Sequence, residues 1–281
     1  MIVVTGATGN IGRNLVQHLA AAGEQVTAVS RANKDIAVPD GVRHRRADLA
    51  EPESLSPAVE NADALFLLLT GPQLVTGPDP ARFIEVAAAG GVKKVVLLSS
   101  QATGTRPELA SHARLHAFES ALQRSELDWT ILRPTGFFSN TYAWIESIRA
   151  QQLIAAPFAD IALPAIDPGD IAEVAATVLR TDGHSGRTYE LTGPAAISPR
   201  QQARAVEDAL GTPLRFVELT REQARSGMLR FMPEDVADGT LDILGTPTSA
   251  EQQVSADVER ALGRPATSYA EWARRNRAIF G

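Results

Sequence analysis

Apolar positions along the chain fall into two recurring patterns. Short runs rich in Val, Ile, Leu or Phe at residues 2–4, 25–29, 64–69, 95–98 and 129–132 have the length of buried strands, and helix-length segments separate them. The first pair is a β-branched run ending in Thr5-Gly6, then a helix over residues 11–22 closed by Gly23. Strand and helix in alternation predict an α/β fold with a doubly wound parallel sheet. A weaker run at 42–44, before Asp48, is read as a further strand because right-handed crossover topology needs one there.

The pattern changes after Arg133-Pro134. Gly136 and the aromatic residues Phe137, Phe138, Tyr142 and Trp144 mark the chain leaving the sheet. It returns at residues 165–168, which precede a helix over 170–179 with an acidic first turn, and 188–191 reads as one more strand. Beyond Pro194, amphipathic helices are predicted over 200–210 and 250–262. The expected organisation is a sheet domain of residues 1–135 and 165–192, with a smaller, discontinuous substrate lobe of residues 136–164 and 193–281.

Composition narrows the class. With 281 residues, 44% of them hydrophobic, the chain has ample core for one or two domains, and its net charge of -6 without a basic run argues against nucleic acid as a partner. No apolar run approaches the roughly 20 residues of a membrane span. Zero cysteines exclude disulfides, thiolate metal sites and a cysteine nucleophile, and suit a reducing cytoplasm. No metal site is expected.

The sharpest chemical signal is Gly6-Ala7-Thr8-Gly9-Asn10-Ile11-Gly12, placed between the first strand and the first helix. Glycines at this spacing let the chain turn tightly and let a pyrophosphate approach the helix N-terminus, where unpaired N–H groups favour anions. The element order and this turn together predict a Rossmann-type, dinucleotide-binding sheet. At the end of the second strand, where a carboxylate would hold the ribose of NAD, the chain has Ser30-Arg31. A guanidinium forks onto a 2'-phosphate, with Arg13 and Lys34 as helpers, so NADP(H) is favoured over NAD(H). Asp48 and Leu49 stand where adenine contacts are expected, although Asp48 also suits a turn cap. Thr70 and Gly71 are assigned to the nicotinamide ribose, and Ser99 to the cofactor at the end of the fifth strand.

These motifs, with His116-Ala117-Phe118-Glu119, Trp129-Thr130-Ile131-Leu132-Arg133-Pro134, Phe138, Asn140 and Ile166-Asp167-Pro168-Gly169-Asp170-Ile171-Ala172, resemble the NmrA-like group of atypical short-chain dehydrogenases. That group includes type 2 quinone oxidoreductases and triphenylmethane dye reductases. The chain departs from the wider superfamily's Tyr-x-x-x-Lys pair: Tyr142, Tyr189 and Tyr269 are followed at that spacing by Glu146, Gly193 and Ala273. The lysines are Lys34, Lys93 and Lys94, and aligning on the resemblance puts Ser111 and Leu115 at or near the places of the pair. A lysine in the second half, as in isoflavone-type reductases, is missing as well.

Without that acid, oxidation of an alcohol or epimerisation of a sugar lacks its base. Reduction of a quinone-like or other electron-poor aromatic acceptor asks for less, because the acceptor itself stabilises the incoming electron pair. The expected function is therefore an NADPH-dependent reductase of a small planar acceptor. A nucleotide-sensing NmrA-like regulator is the alternative, and a nucleotide-sugar epimerase the weaker one. Ser100, His116 and Tyr142 are the candidate catalytic residues, His116 sharing a helix face with His112. Gln101, Phe137 and Phe138 are the candidate substrate contacts, the two rings serving as an apolar wall. A homodimer is expected as the assembly.

Overall fold

The computed structural model describes residues 1–32 and 37–281. Its strands are β1 (Ile2–Val4), β2 (Val26–Ser30), β3 (Arg43–Arg46), β4 (Ala64–Leu68), β5 (Lys94–Leu98), β6 (Asp128–Pro134), β7 (Leu153–Pro157), β8 (Arg187–Leu191) and β9 (Arg215–Leu219). Seven of them form one sheet in the order β3-β2-β1-β4-β5-β6-β8, and every neighbouring pair is parallel. The order reverses about β1, which places a crevice at the carboxyl ends of β1 and β4, where ligands of such sheets bind.

Both faces of the sheet are covered, which is why its central strands read as unbroken apolar runs. On one face the helices Asn10–Ala21 and Pro168–Arg180 lie side by side, burying Leu15 and Leu19 against Val174 and Val178. Ala172, Ala175 and Ala176 keep the second helix slim enough for this approach. On the other face Pro80–Ala89 and Ala113–Gln123 pack through Phe83 and Phe118, whose ring centroids are 5.2 Å apart. β3 is an edge strand with exposed Arg43, Arg45 and Arg46, and charge on an edge discourages further pairing. Its polarity made it faint in the sequence. Pairing with β2, from Thr27↔Arg43 to Ser30↔Arg46, defines it and extends it beyond the expected 42–44.

After β6 the chain forms a 3-10 helix, Phe138–Trp144, and then β7, which pairs in parallel with β9 in a two-stranded sheet of its own. Neither strand was anticipated, because each is short and half exposed. Around them Phe138, Ile148, Ile154, Val206, Tyr269, Trp272 and Phe280 form a separate apolar cluster. The predicted helix over 250–262 is confined to Asp257–Leu262. Residues 248–253 instead turn inward to deliver the buried Glu251 carboxylate to Arg106, Thr105 and the Thr248 N–H, and Ser255 accepts the Asp257 N–H at the later helix start. Val258 and Leu262 of that helix pack on the core of the main sheet.

Polar contacts fasten this part of the chain to the sheet domain. Asp167 caps its helix through the Gly169 N–H and pairs with Arg275. Asp170, the acidic residue of that helix's first turn, accepts from the Thr267 N–H at 2.6 Å and from Arg264 at 2.8 Å. No helix is long and apolar enough to cross a membrane among the described residues.

Candidate functional site

The turn after β1 is built around close backbone approach. Gly6 has φ +63°, and a Cβ on Gly12 would stand 2.2 Å from the Gly6 carbonyl oxygen, so only glycine lets the helix begin this near the strand. The helix Asn10–Ala21 starts at Gly9 with no side-chain cap and no acidic residue in its first turn. Its leading N–H groups therefore offer an anion site free of competing carboxylates. Ile11 is buried in the core, so its part in such a site is limited to its backbone. Thr5 fixes the level of the turn by bonding the Phe66 and Leu68 carbonyls and accepting the Leu68 N–H.

A cavity of about 250 Å3 opens over this turn. It is lined by Gly6, Thr8 and Gly9 of the turn, Ser30 and Arg31 at the end of β2, Ala47 and Leu49 after β3, and Thr70 and Gln73 after β4. The expected cofactor residues Gly6, Thr8, Gly9, Arg31, Leu49 and Thr70 thus meet around one space. Thr70, expected at the nicotinamide ribose, shares this cavity with Arg31 and Leu49. Gly71, at φ +57°, begins the short 3-10 helix Gly71–Leu74. Asp48 is turned onto its own loop, where its carboxylate accepts the Ala50 N–H at 3.0 Å. Lys34 lies outside the described residues.

Ser99 is corrected by its surroundings. It is buried, and its hydroxyl bonds Glu119 and Thr103, so it serves the interior of the fold and not the cavity. Ser100 accepts the Ala102 N–H at 3.3 Å as the cap of the helix Gln101–Thr105, and Gln101 is buried behind it. Phe138 is only 1% exposed and meets Tyr269 edge-on at 5.0 Å, which makes it a core residue instead of a pocket wall. Phe137 is half-buried against the core of the sheet. Tyr142 donates to Asn276 at 3.2 Å and packs on Trp272, and burial pushes its phenol up, away from acid chemistry at neutral pH.

His116 is exposed on its helix. One turn earlier His112 is half-buried, its Nδ1 3.1 Å from the Ser111 hydroxyl, and burial pushes its imidazole below the ordinary value. Of the pair, His112 is the one that the fold encloses.

A larger cleft of about 490 Å3 runs along the outer face of the first helix, beneath Tyr142, Trp272 and Arg275. The carboxylates lining it, Asp167, Asp170 and Glu173, are paired with Arg275 and Arg264, so it is a seam between packed parts that touches the phosphate turn only at Gly9 and Asn10. Asn10 crosses to Ser139 with a 3.1 Å hydrogen bond at its upper end. Among the described residues no group of three or more His, Cys, Asp or Glu side chains is placed to hold a metal.

The geometry of a phosphate turn under a cavity agrees with comparison to known proteins. A family described as NAD(P)H-binding matches residues 6–182. The chain belongs to this NAD(P)H-binding family. The (4-alkanoyl-5-oxo-2,5-dihydrofuran-3-yl)methyl phosphate reductase of Streptomyces griseus subsp. griseus is 34% identical over 283 positions, covering 100% of this chain and 99% of that protein. An NAD(P)H azoreductase of Xenophilus azovorans is 32% identical over 289 positions, covering 100% and 99%. The NADPH complex of the quinone oxidoreductase QOR2 from Escherichia coli shares the fold, with TM-score 0.81 at 24% identity over 98% of this chain and 99% of that one. These relatives place the chain among NAD(P)H-dependent reductases.

In this family member two residues at or beside the cavity escaped the sequence reading. Arg46 is brought beside Ser30 by the β2–β3 register, a pairing that the weak strand signal could not place. Gln73 reaches the cavity from a 3-10 helix that has no periodic pattern. His112 was read only as sharing a helix face with His116; its enclosure was not legible, and the Glu251 carboxylate acts on it from far along the chain.

Proposed function

We propose that this chain uses NADPH to reduce a small, planar, electron-poor conjugated acceptor. The observation that carries the reading is the pairing of a cavity over the glycine turn with a sequence that lacks the Tyr-x-x-x-Lys acid. When bound, the cofactor supplies hydride. The chain's own residues then need to hold an acceptor that tolerates the missing acid.

Arg31 in the cavity lining, with Arg46 on the adjacent strand and Asp48 engaged in its own turn, supports NADPH over NADH. The relatives' names support the acceptor class: an alkanoyl-substituted oxo-dihydrofuran, an azo compound and a quinone each offer a conjugated electron-poor bond. Residues 136–164 and 193–281 would supply the acceptor's side of the cleft, with Phe137 just past the end of β6, and Gln101 would face it from just past the end of β5. The imidazole of His112 is the proton-handling group this reading favours, since His116 faces solvent.

The test is loss of NADPH absorbance with a quinone, an azo dye and an alkanoyl dihydrofuranone, against acceptor-free and protein-free controls. Consumption with at least one acceptor is expected. Retention of NADPH without turnover of any of them would favour a nucleotide sensor.

A further inference from the structure

Gln73 is 7% exposed and lines the cofactor cavity, yet its side-chain amide makes no hydrogen bond to a described residue. Among the described residues the amide's polar atoms are not sealed off from solvent, so the cavity leaves them open to hydrogen-bond a ligand that displaces water there. Its backbone is held from outside the loop. The Gln73 carbonyl accepts from Nε of Arg114 at 2.7 Å, and the same guanidinium donates to the Gly77 carbonyl at 3.2 Å and to the Pro78 carbonyl at 2.7 Å.

The loop is shaped to receive this bracket. Gly77 has φ +142°, and a Cβ there would lie 3.0 Å from Nη2 of Arg114. The Arg114 guanidinium also lies 5.2 Å from the Phe118 ring centroid. Among the described residues no carboxylate lies within ion-pair distance of Arg114, and burial lowers its affinity for its proton. A partly desolvated cation whose hydrogen bonds all go to carbonyls of one loop is a costly arrangement unless the position of that loop matters.

We propose that the Gln73 amide contacts the adenosine half of the bound dinucleotide and that Arg114 is its positioning residue. The proposal rests on the dinucleotide reading of the cavity. β2 and β3 lie on one flank of β1, and β4 lies on the other, so Gln73 lines the cavity from the flank across the turn from Arg31 and Leu49, and a side-chain amide matches the donor and acceptor edge of a purine.

Fluorescence titrations of the whole chain with NADPH and with adenosine 2',5'-bisphosphate test this. Gln73→Leu should weaken both about tenfold, one hydrogen-bonded contact's worth. Arg114→Lys keeps a charge but loses the fork, and should weaken both similarly while speeding proteolytic cleavage within residues 71–79 of the cofactor-free protein. If Arg114→Lys does not fold, Gly77→Ala displaces the same bracket and should show the same signature. The Gln73→Leu/Arg114→Lys double variant should lose little more than either single variant, because the two act through one contact. Unchanged affinities in the folded single variants, loss for NADPH but not the bisphosphate, or additive losses in the double variant would each overturn the proposal. A wild-type chain that binds neither probe would instead overturn the dinucleotide reading itself.

Discussion

Arg133 grips the carboxylate of Glu119 with two hydrogen bonds, Nε to Oε1 at 3.0 Å and Nη2 to Oε2 at 2.7 Å, and the Ser99 hydroxyl shares Oε1. This joins the ends of β5 and β6 to the helix Ala113–Gln123 behind the cavity. Glu119 is 3% exposed, so removing one partner strands a charge in the interior. Arg133→Met is expected to cost about 3 kcal/mol in urea unfolding, and adding Glu119→Leu should recover most of that loss. A double variant as unstable as the single one would show that the pair, and not the stranded charge, carries the stability.

The glycines of the phosphate turn separate packing from ligand approach. A Cβ on Gly12 collides with backbone at 2.2 Å, whereas one on Gly9, at φ -81°, comes only to 3.4 Å from the Gly6 carbonyl oxygen. Gly12→Ala should therefore lower the melting temperature and abolish NADPH binding together. Gly9→Ala should melt near the wild type yet bind NADPH at least tenfold more weakly, because the added methyl occupies the path of the pyrophosphate. Calorimetry paired with cofactor titration separates the two outcomes.

The difference between those glycines was legible in the sequence only as far as their spacing. The central strands and the phosphate turn were readable because burial on both faces and the need for glycine leave strong local marks. β7, β9 and the turn that carries Glu251 were not, since their places are set by contacts across long stretches of chain. Phe138 misled for the same reason: an aromatic after β6 suits a pocket wall or a core, and only its packing on Tyr269 and Trp272 decides. Ser99 looked like a cofactor contact until Glu119, 20 residues on, claimed its hydroxyl.

Cofactor choice follows from the same logic of local charge. Arg31 lines the cavity, and the register brings Arg46 beside Ser30. A charge-assisted bond to a 2'-phosphate is worth about 1.5–3 kcal/mol, or roughly tenfold to a hundredfold in affinity. Arg31→Asp should erase a preference of that size for NADPH over NADH, and Arg46→Ser should narrow it by a smaller factor. Titration with both cofactors reads the ratio directly. Equal wild-type affinities would remove both arginines from the selection.

Part of the acid sensitivity should trace to His112, and part to His184, whose imidazole burial also lowers. Burial holds the His112 imidazole below the ordinary 6.5, while the Glu251 carboxylate, itself paired with Arg106, pulls weakly the other way. As pH falls through 6.5 the unfolded chain takes up this proton first, so stability present above that value is lost on the way to the lower folded value. Asp167 and Glu190, raised by burial, act in the opposite sense, since the folded chain is protonated before the unfolded one. Their contributions are common to wild type and variant and cancel in the comparison. His112→Asn should therefore lose less stability than the wild type between about pH 7.5 and about pH 5.5 in urea unfolding. Parallel losses would mean that His112 is solvated enough in the folded chain to titrate as it does in the unfolded one.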